Sequence, residues 1–336
     1  MDLRPFVSKP ALLVHPFDRS MSRIDYKPDL MQFSQKLPTL KEDLKGAKSL
    51  GWDDCCDQRA LELLKMNRSR YIVSYSGGID STALLVALMR TWSEEDQKKI
   101  VISMSHDSID ENPTFFQNHI RRFRWINSLQ TMDRLLKEPG ALLITGELGD
   151  QLFGSDMLLP GAQIHGDGMI HENYQDAFAK MLKAWSPPDA GSAEALAERF
   201  YPINQECPFP VRSLHDFVWW FNFTQKWSHV KYRFYEMTTA DLRLRYGQHI
   251  IHFYDSPEFQ RWSMDNHDLK IKKTMNSYKW TAKEYIHRFT KDPRQLELIK
   301  IQSLEKMYFL DEKRIAIGED LRVIQSNEEL LTYATI

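Results

Sequence analysis

Apolar and polar positions fall into two textures along this chain. Between residues 70 and 155, short apolar runs are separated by polar turns: YIVSY (71–75), IVISMSH (100–106) and ALLITGE (141–147). Runs of this length without strict alternation fit strands buried on both faces. FRWINS (123–128) predicts a further strand. Helical patterns lie between them, over Thr82–Trp92 and over Thr114–Phe123, the latter opened by Pro113. Alternation of strand and helix predicts an α/β fold, a doubly wound parallel sheet with helices on both faces.

Beyond about residue 165 the texture is mainly helical. Asn173–Trp185 reads as a helix broken by SPPDAGS (186–192), and GAQIHGDG (161–168) as a loop. Ser213–Met237 carries Phe217, Trp219, Trp220, Phe221, Trp227, Tyr232 and Phe234. Its apolar residues occupy more than one face, which predicts a helix buried on several sides. Pro257 marks a helix start, and Ser277 is placed to cap a helix over Tyr278–Phe289. The first 65 residues hold proline-bearing loops, the charged KEDLKGAK stretch and an amphipathic run from Gln58 to Met66. The expected organisation is an N-terminal extension (1–65), an α/β core (66–165) and a helical substrate-side region packed on it (166–336).

Composition narrows the class. The chain has 336 residues, 42% of them apolar, enough for a sizeable core. A net charge of −2 argues against a dedicated nucleic-acid binder, which carries a basic face. No run reaches the roughly 18 apolar residues of a membrane helix. Prolines interrupt the N-terminus where a signal peptide would be apolar, so a soluble cytoplasmic protein is expected, without membrane partners. Three cysteines with no C-x-x-C pair make neither a disulfide framework nor a structural zinc site.

The chemistry concentrates in Ser76-Gly77-Gly78-Ile79-Asp80-Ser81, which runs from a strand straight into a helix. Glycines let backbone N–H groups approach an anion, and the helix N-terminus adds partial positive charge. Ser76, Ser81 and Thr82 offer hydroxyls to phosphate oxygens. Asp80 makes sense beside phosphate once Mg²⁺ is included, because carboxylate and phosphate oxygens together suit that ion. The G-x-x-x-x-G-K-S/T spacing of the commoner phosphate loop is absent.

SGGIDS resembles the pyrophosphate loop (PP-loop) of the N-type ATP pyrophosphatases, which cleave ATP between its α and β phosphates. A second strand-turn-helix segment, ALLITGELGDQLFGSD (141–156), resembles the S-G-E-G-x-D-E-L-F-G-G-Y signature of the asparagine synthetase C-terminal domain. Gly146, Glu147, Gly149, Asp150, Leu152, Phe153 and Gly154 match in register. Leu148, Gln151 and Ser155-Asp156 depart from it, and the last departure puts the family's substrate-pocket wall in doubt. Two looser likenesses follow. IIHFYD (250–255) is similar to the family's R-x-P-F-L-D stretch, and Ser277–Lys283 to its K-x-x-L-R stretch, with Lys279 in the lysine's place and Lys283 in that of the trailing arginine.

The resemblance implies an adenine-nucleotide alpha hydrolase-like fold, ATP and Mg²⁺ as cofactors, and an AMP-forming carbon–nitrogen ligase. Ser76, Gly77, Gly78, Ser81, Thr82 and Gly146 would bind the nucleotide, with adenine against the second strand near Met104. Asp80 and Asp150 would converge on Mg²⁺. Glu147 would line the acceptor pocket and move protons, and Lys279 would neutralise charge at the α-phosphate. A substrate carboxylate would be adenylated and then passed to ammonia or an amine. Asp2 stands where the family's glutaminase carries its cysteine nucleophile, and 65 residues are too few for that domain. Nitrogen is therefore expected from free ammonia, an ammonia-donating partner or an amine substrate. Two other readings stay open: an ATP pyrophosphatase that activates a nucleic-acid base, served by Arg121, Arg122, Arg124 and the Lys270–Lys273 group, and a non-catalytic nucleotide-binding protein. The Lys270, Lys272, Lys273 cluster reads as a solvated face, His165 and His171 as residues of a solvated loop, and most tryptophans as core.

Overall fold

Five short strands organise the computed structural model, which describes residues 23, 49–154, 157–185, 190–236 and 246–298. They are β1 (Arg70–Ser74), β2 (Ile100–Met104), β3 (Arg124–Asn127), β4 (Ala141–Thr145) and β5 (Ile250–His252). All pairings are parallel, in the order β3-β2-β1-β4-β5. Ile72 stands between Val101 of β2 and Leu143 of β4, and Thr145 faces His252. Every residue of β2 and β4 is buried, the polar Ser103 and Thr145 included, as expected of strands covered on both faces. Edge strand β3 is shorter and opens on exposed Arg124, a charge that blunts the free edge.

Helix α1 (Trp52–Lys65) packs against α2 (Ile79–Thr91), the connection between β1 and β2. Ten of the thirteen α2 residues are buried, Ile79 and Ser81 to Met89. Leu84, Leu85, Val86 and Leu88 are fully inaccessible. Those four side chains alone contribute on the order of 10 kcal/mol of gross burial energy. Polar ties fix the layer: Trp92 Nε1 donates to the Ala60 carbonyl at 2.8 Å, and Tyr71 Oη to that of Leu63 at 3.0 Å. Asp57 of α1 accepts from Arg90 at 3.0 Å and from Tyr285 at 2.7 Å. The crossover β1–α2–β2 and the crossover from β3 to β4 through helix Thr131–Lys137 run in opposite directions along the sheet. Right-handed connection puts them on opposite faces, so the sheet is wound on both sides.

The chain divides into two compact units. The sheet unit comprises Gly51–Glu147, Thr238–Ser256 and Thr281–Ile336; the helical unit comprises Met1–Leu50, Leu148–Met237 and Pro257–Trp280. These borders do not coincide with positions 65 and 165. Helix α1 groups with the sheet, and β5 arises in a stretch that reads as helical.

Within the helical unit, Tyr174–Trp185 packs against Leu158–His165, Ala190–Phe200 and Leu214–Phe221. Its core is aromatic: Phe178 meets Phe217 edge-on at 4.6 Å, and Trp219, Trp220, Trp227 and Trp262 are buried. The aromatic helix is interrupted by a π-helical turn, Asn222–Lys226, before continuing as Trp227–Glu236. Met237 lies outside the described residues, as do residues 186–189 of the SPPDAGS break.

Four local expectations need correction. GAQIHGDG is not a loop: Leu158–His165 is helical and Asp167–His171 forms a 3-10 turn, because Met169 and Ile170 insert into the core. The helix expected over Thr114–Phe123 is one α turn (Pro113–Phe115) followed by a π turn (Phe116–Ile120). Ser277 caps no long helix. It closes a 3-10 turn, donating to the Thr274 carbonyl at 2.7 Å, and the next helix starts at Trp280. Lys270 is fully buried, unlike exposed Lys272 and Lys273, because its ammonium end lies 3.6 Å from the Trp219 ring centre.

Candidate active site

The glycine loop leaves β1 where the strand order reverses, between β1 and β4. In an open α/β sheet, that reversal splays the loops at the strand C-ends and opens a crevice there. Gly77 has φ +77° and is buried; an added Cβ would stand 2.3 Å from the Ser108 carbonyl oxygen and 2.6 Å from Glu111 Cβ. Only glycine fits that backbone. Gly78 has ordinary extended angles (φ −71°, ψ 166°) and N-caps α2. The first turn of α2 follows it, with N–H groups that have no acceptor within the helix.

The loop braces itself. The Ser76 N–H donates to Ser81 Oγ at 3.2 Å, Ser81 Oγ donates to the Gly78 carbonyl at 3.1 Å, and Thr82 Oγ1 to that of Gly77 at 3.4 Å. Ser81 and Thr82 are buried, so their hydroxyls hold the loop, whereas Ser76 is exposed. Asp80, half-buried in the first turn of α2, has its own carbonyl held by Tyr254 Oη at 2.9 Å. Tyr254 is in turn stacked on Trp52, ring centres 5.9 Å apart.

The second turn abuts the first. At Gly146 an added Cβ would stand 3.0 Å from the Ser81 nitrogen and 3.2 Å from the Asp80 carbonyl carbon. Glycine there lets the turn after β4 close on the start of α2. The Glu147 N–H donates to Thr145 Oγ1 at 3.3 Å. That oxygen is 2.7 Å from His252 Nδ1, and His252 Nε2 is 2.9 Å from Tyr246 Oη. Burial, with the Glu147 and Asp255 charges, pushes the Tyr246 hydroxyl well up, so it stays protonated. Met104 is buried at the end of β2; beside it, the Tyr75 N–H donates to the Ser103 carbonyl at 2.8 Å. The sheet unit thus gathers Ser76, Gly77, Gly78, Asp80, Ser81, Thr82 and Gly146 around one pair of strand ends.

Asp150 and Lys279 belong to the helical unit. Asp150 lies in the first turn of helix Gly149–Phe153, preceded by Leu148 at φ +77°. Leu148 stands where the resembled signature carries glycine, and its backbone is left-handed. Lys279 Nζ is 2.6 Å from Asp150 Oδ1, and Tyr278 Oη donates to that same oxygen at 3.2 Å. Lys279 is buried and itself left-handed, φ +60°. A lysine in that region stores strain of about 1–3 kcal/mol, of a kind that clusters at functional sites. Asn222 clamps the turn: its Nδ2 donates to the Asp150 carbonyl at 3.2 Å and to that of Gly154, and its Oδ1 accepts from Gln151 at 3.2 Å.

His252, Tyr254 and Tyr278 lie in the two looser likenesses, 250–255 and 277–283, but no role was expected of them. Tyr246 and Asn222 carry no local signal at all, and Asn222 acts on Asp150, far away in the chain. His165 and His171 are exposed, and His171 Nε2 is 3.1 Å from the Lys273 carbonyl oxygen.

The chain matches no family model, no curated protein and no solved structure. The fold and the site geometry therefore define its class: an α/β protein with a five-stranded parallel sheet and a glycine turn where the strand order reverses. No helix among the described residues is long and apolar enough to cross a membrane.

Proposed function

We propose that this chain is an ATP-dependent carbon–nitrogen ligase that adenylates a substrate carboxylate, releases pyrophosphate, and forms an amide with ammonia or an amine. The observation that carries the reading is the Gly77-Gly78 turn, at the β1/β4 reversal, with Gly146 packed against its helix. This arrangement suits a phosphate chain lying at the start of a helix in the crevice of the sheet.

The roles follow from the chemistry of each group. Ser76, Gly77, Gly78 and the first turn of α2 bind the departing phosphates. Asp80 and Asp150 would each offer carboxylate oxygens, the donor type that Mg²⁺ takes, and the ion would supply charge neutralisation on pyrophosphate. Glu147, on the turn held by Thr145, receives the proton that the attacking amine gives up. Lys279 neutralises the α-phosphate as the carboxylate attacks it. Its pairing with Asp150 at 2.6 Å keeps a buried ammonium compensated until an anionic substrate arrives. Adenine lies near the end of β2, at Met104.

The test is direct. Purified protein with MgATP is offered small carboxylates together with ammonium or amines, and AMP and pyrophosphate are measured. Release is expected to need both co-substrates. Asp80→Ala should abolish release while circular dichroism and the urea midpoint stay unchanged. No ATP binding by calorimetry, or full activity in Asp80→Ala, refutes the reading. A second reading, activation of a nucleic-acid base, has one supporting observation: Arg121, Arg122 and Arg124 are all exposed at the β3 edge. Pyrophosphate release stimulated by RNA and not by small carboxylates would favour it.

A further inference from the structure

The helical unit holds a cluster that the nucleotide reading does not use. His215 and Asp216 sit in the first turn of helix Leu214–Phe221, and His267 opens a 3-10 turn. One ligand atom from each lies within 4.8 Å of the other two. We propose that His215, Asp216 and His267 form a binding site for a divalent transition ion of the Zn²⁺ class, independent of any Mg²⁺ that accompanies ATP.

The surroundings orient the three donors. Asp216 Oδ2 accepts the N–H groups of Arg212 at 2.9 Å and Ser213 at 2.8 Å, which fixes the carboxylate and turns Oδ1 to His267 Nε2, 2.9 Å away. His215 Nε2 lies 3.3 Å from the Phe153 carbonyl oxygen, to which it donates, leaving Nδ1 as the bare nitrogen. A backbone carbonyl that fixes the tautomer is the usual outer partner of a metal-binding imidazole. The His215 and His267 ring centres are 4.6 Å apart. The His215 ring is buried, whereas Asp216 and His267 keep 18% and 17% of their side chains exposed, an entrance for an ion.

Two imidazoles and one carboxylate select a borderline ion over Mg²⁺, which prefers oxygen alone, and leave coordination positions for water. Lys270 Nζ, 3.0 Å from His267 Nδ1, braces the far edge of that ring and leaves Nε2 on the side of Asp216.

Chelator-treated full-length protein is titrated with Co²⁺, read by its visible d–d absorption, and Zn²⁺ is then added as competitor. One equivalent of Co²⁺ should bind and be displaced by Zn²⁺. His215→Gln and His267→Gln should each weaken uptake more than about tenfold, and exposed His171→Gln should leave it unchanged. X-ray absorption on the Zn²⁺-loaded wild-type protein should show two imidazole ligands, a readout independent of whether the variants fold. Absence of stoichiometric uptake, uptake undiminished in both histidine variants, or a zinc shell without imidazole overturns the proposal.

Discussion

Gly77 and Gly78 are neighbours with different reasons to be glycine, and replacing each with alanine separates structure from binding. At Gly77, alanine must adopt φ +77°, which costs about 1–2 kcal/mol for an L-residue. Its Cβ would also stand 2.3 Å from a backbone oxygen, that of Ser108, which cannot rotate away. Overpacking of this kind costs about 1–3 kcal/mol, so Gly77→Ala should lose roughly 2–5 kcal/mol in all. At Gly78 the backbone is extended, and the nearest obstacle to a Cβ is Ser76 Oγ at an ordinary 3.4 Å. Alanine is a poorer N-cap but stiffens the unfolded chain, and the two effects leave Gly78→Ala within about 1 kcal/mol of wild type. The methyl group does, however, stand beside the N–H groups that a phosphate would approach. MgATP affinity of Gly78→Ala should fall at least about tenfold, or 1.4 kcal/mol. Urea unfolding followed by the fluorescence of the nine tryptophans gives the first quantity, and calorimetric titration with MgATP the second. Equal stability losses in the two variants would refute the conformational argument. Wild-type ATP affinity in Gly78→Ala would refute the phosphate cradle.

Three further outcomes are expected. Asn222→Asp turns a donor facing two carbonyl oxygens into an acceptor, so it should destabilise by about 3 kcal/mol or more and exceed Asn222→Leu in urea unfolding; the reverse order would mean the amide is oriented the other way. Lys291, left-handed at φ +56°, ends the helix Trp280–Thr290 with its N–H on the His287 carbonyl at 2.8 Å. Lys291→Gly should raise stability by up to about 1 kcal/mol, and a lowered unfolding midpoint would sink that expectation. Burial, with Lys270 beside it, pushes His267 down to about 4 against the pull of Asp216. Between pH ~6.5 and ~4 the unfolded chain therefore binds a proton that the folded chain refuses, and stability falls as pH falls, by about 3 kcal/mol across that window from this group. His215, lowered by burial, adds in the same direction, while Asp216, held low despite its burial by His267 and backbone N–H groups, contributes only below about pH 4. Urea unfolding at stepped pH with chelator present tests this; stability flat from pH 7 to 5 contradicts it.

Local pattern carried much of this architecture. Mostly apolar runs at 71–75, 100–106 and 141–147 became β1, β2 and β4, because strands covered on both faces need no strict alternation of polar and apolar residues. FRWINS became β3. The Gly-Gly turn sits between strand and helix as its chemistry demands. β5 escaped notice because three residues, Ile250–His252, are too few to show a period. Lys270 reads as one of three surface lysines, and only the position of Trp219, 51 residues earlier in the chain, makes it a buried one.

What the sequence determined by itself is short-range: which segments bury both faces, and which glycine turn opens a helix beside an acid. These follow from side-chain period and backbone sterics within about ten residues. Only the tertiary structure decided the strand order that puts the glycine turn at the reversal. It alone set Tyr254 on the Asp80 carbonyl, His252 behind the Glu147 turn, and Asp216 against His267. Each of those pairings closes a loop of roughly 50 to 170 residues, whose cost grows only slowly with length. Sequence distance therefore leaves no mark on which partner is chosen; packing of the whole chain makes the choice.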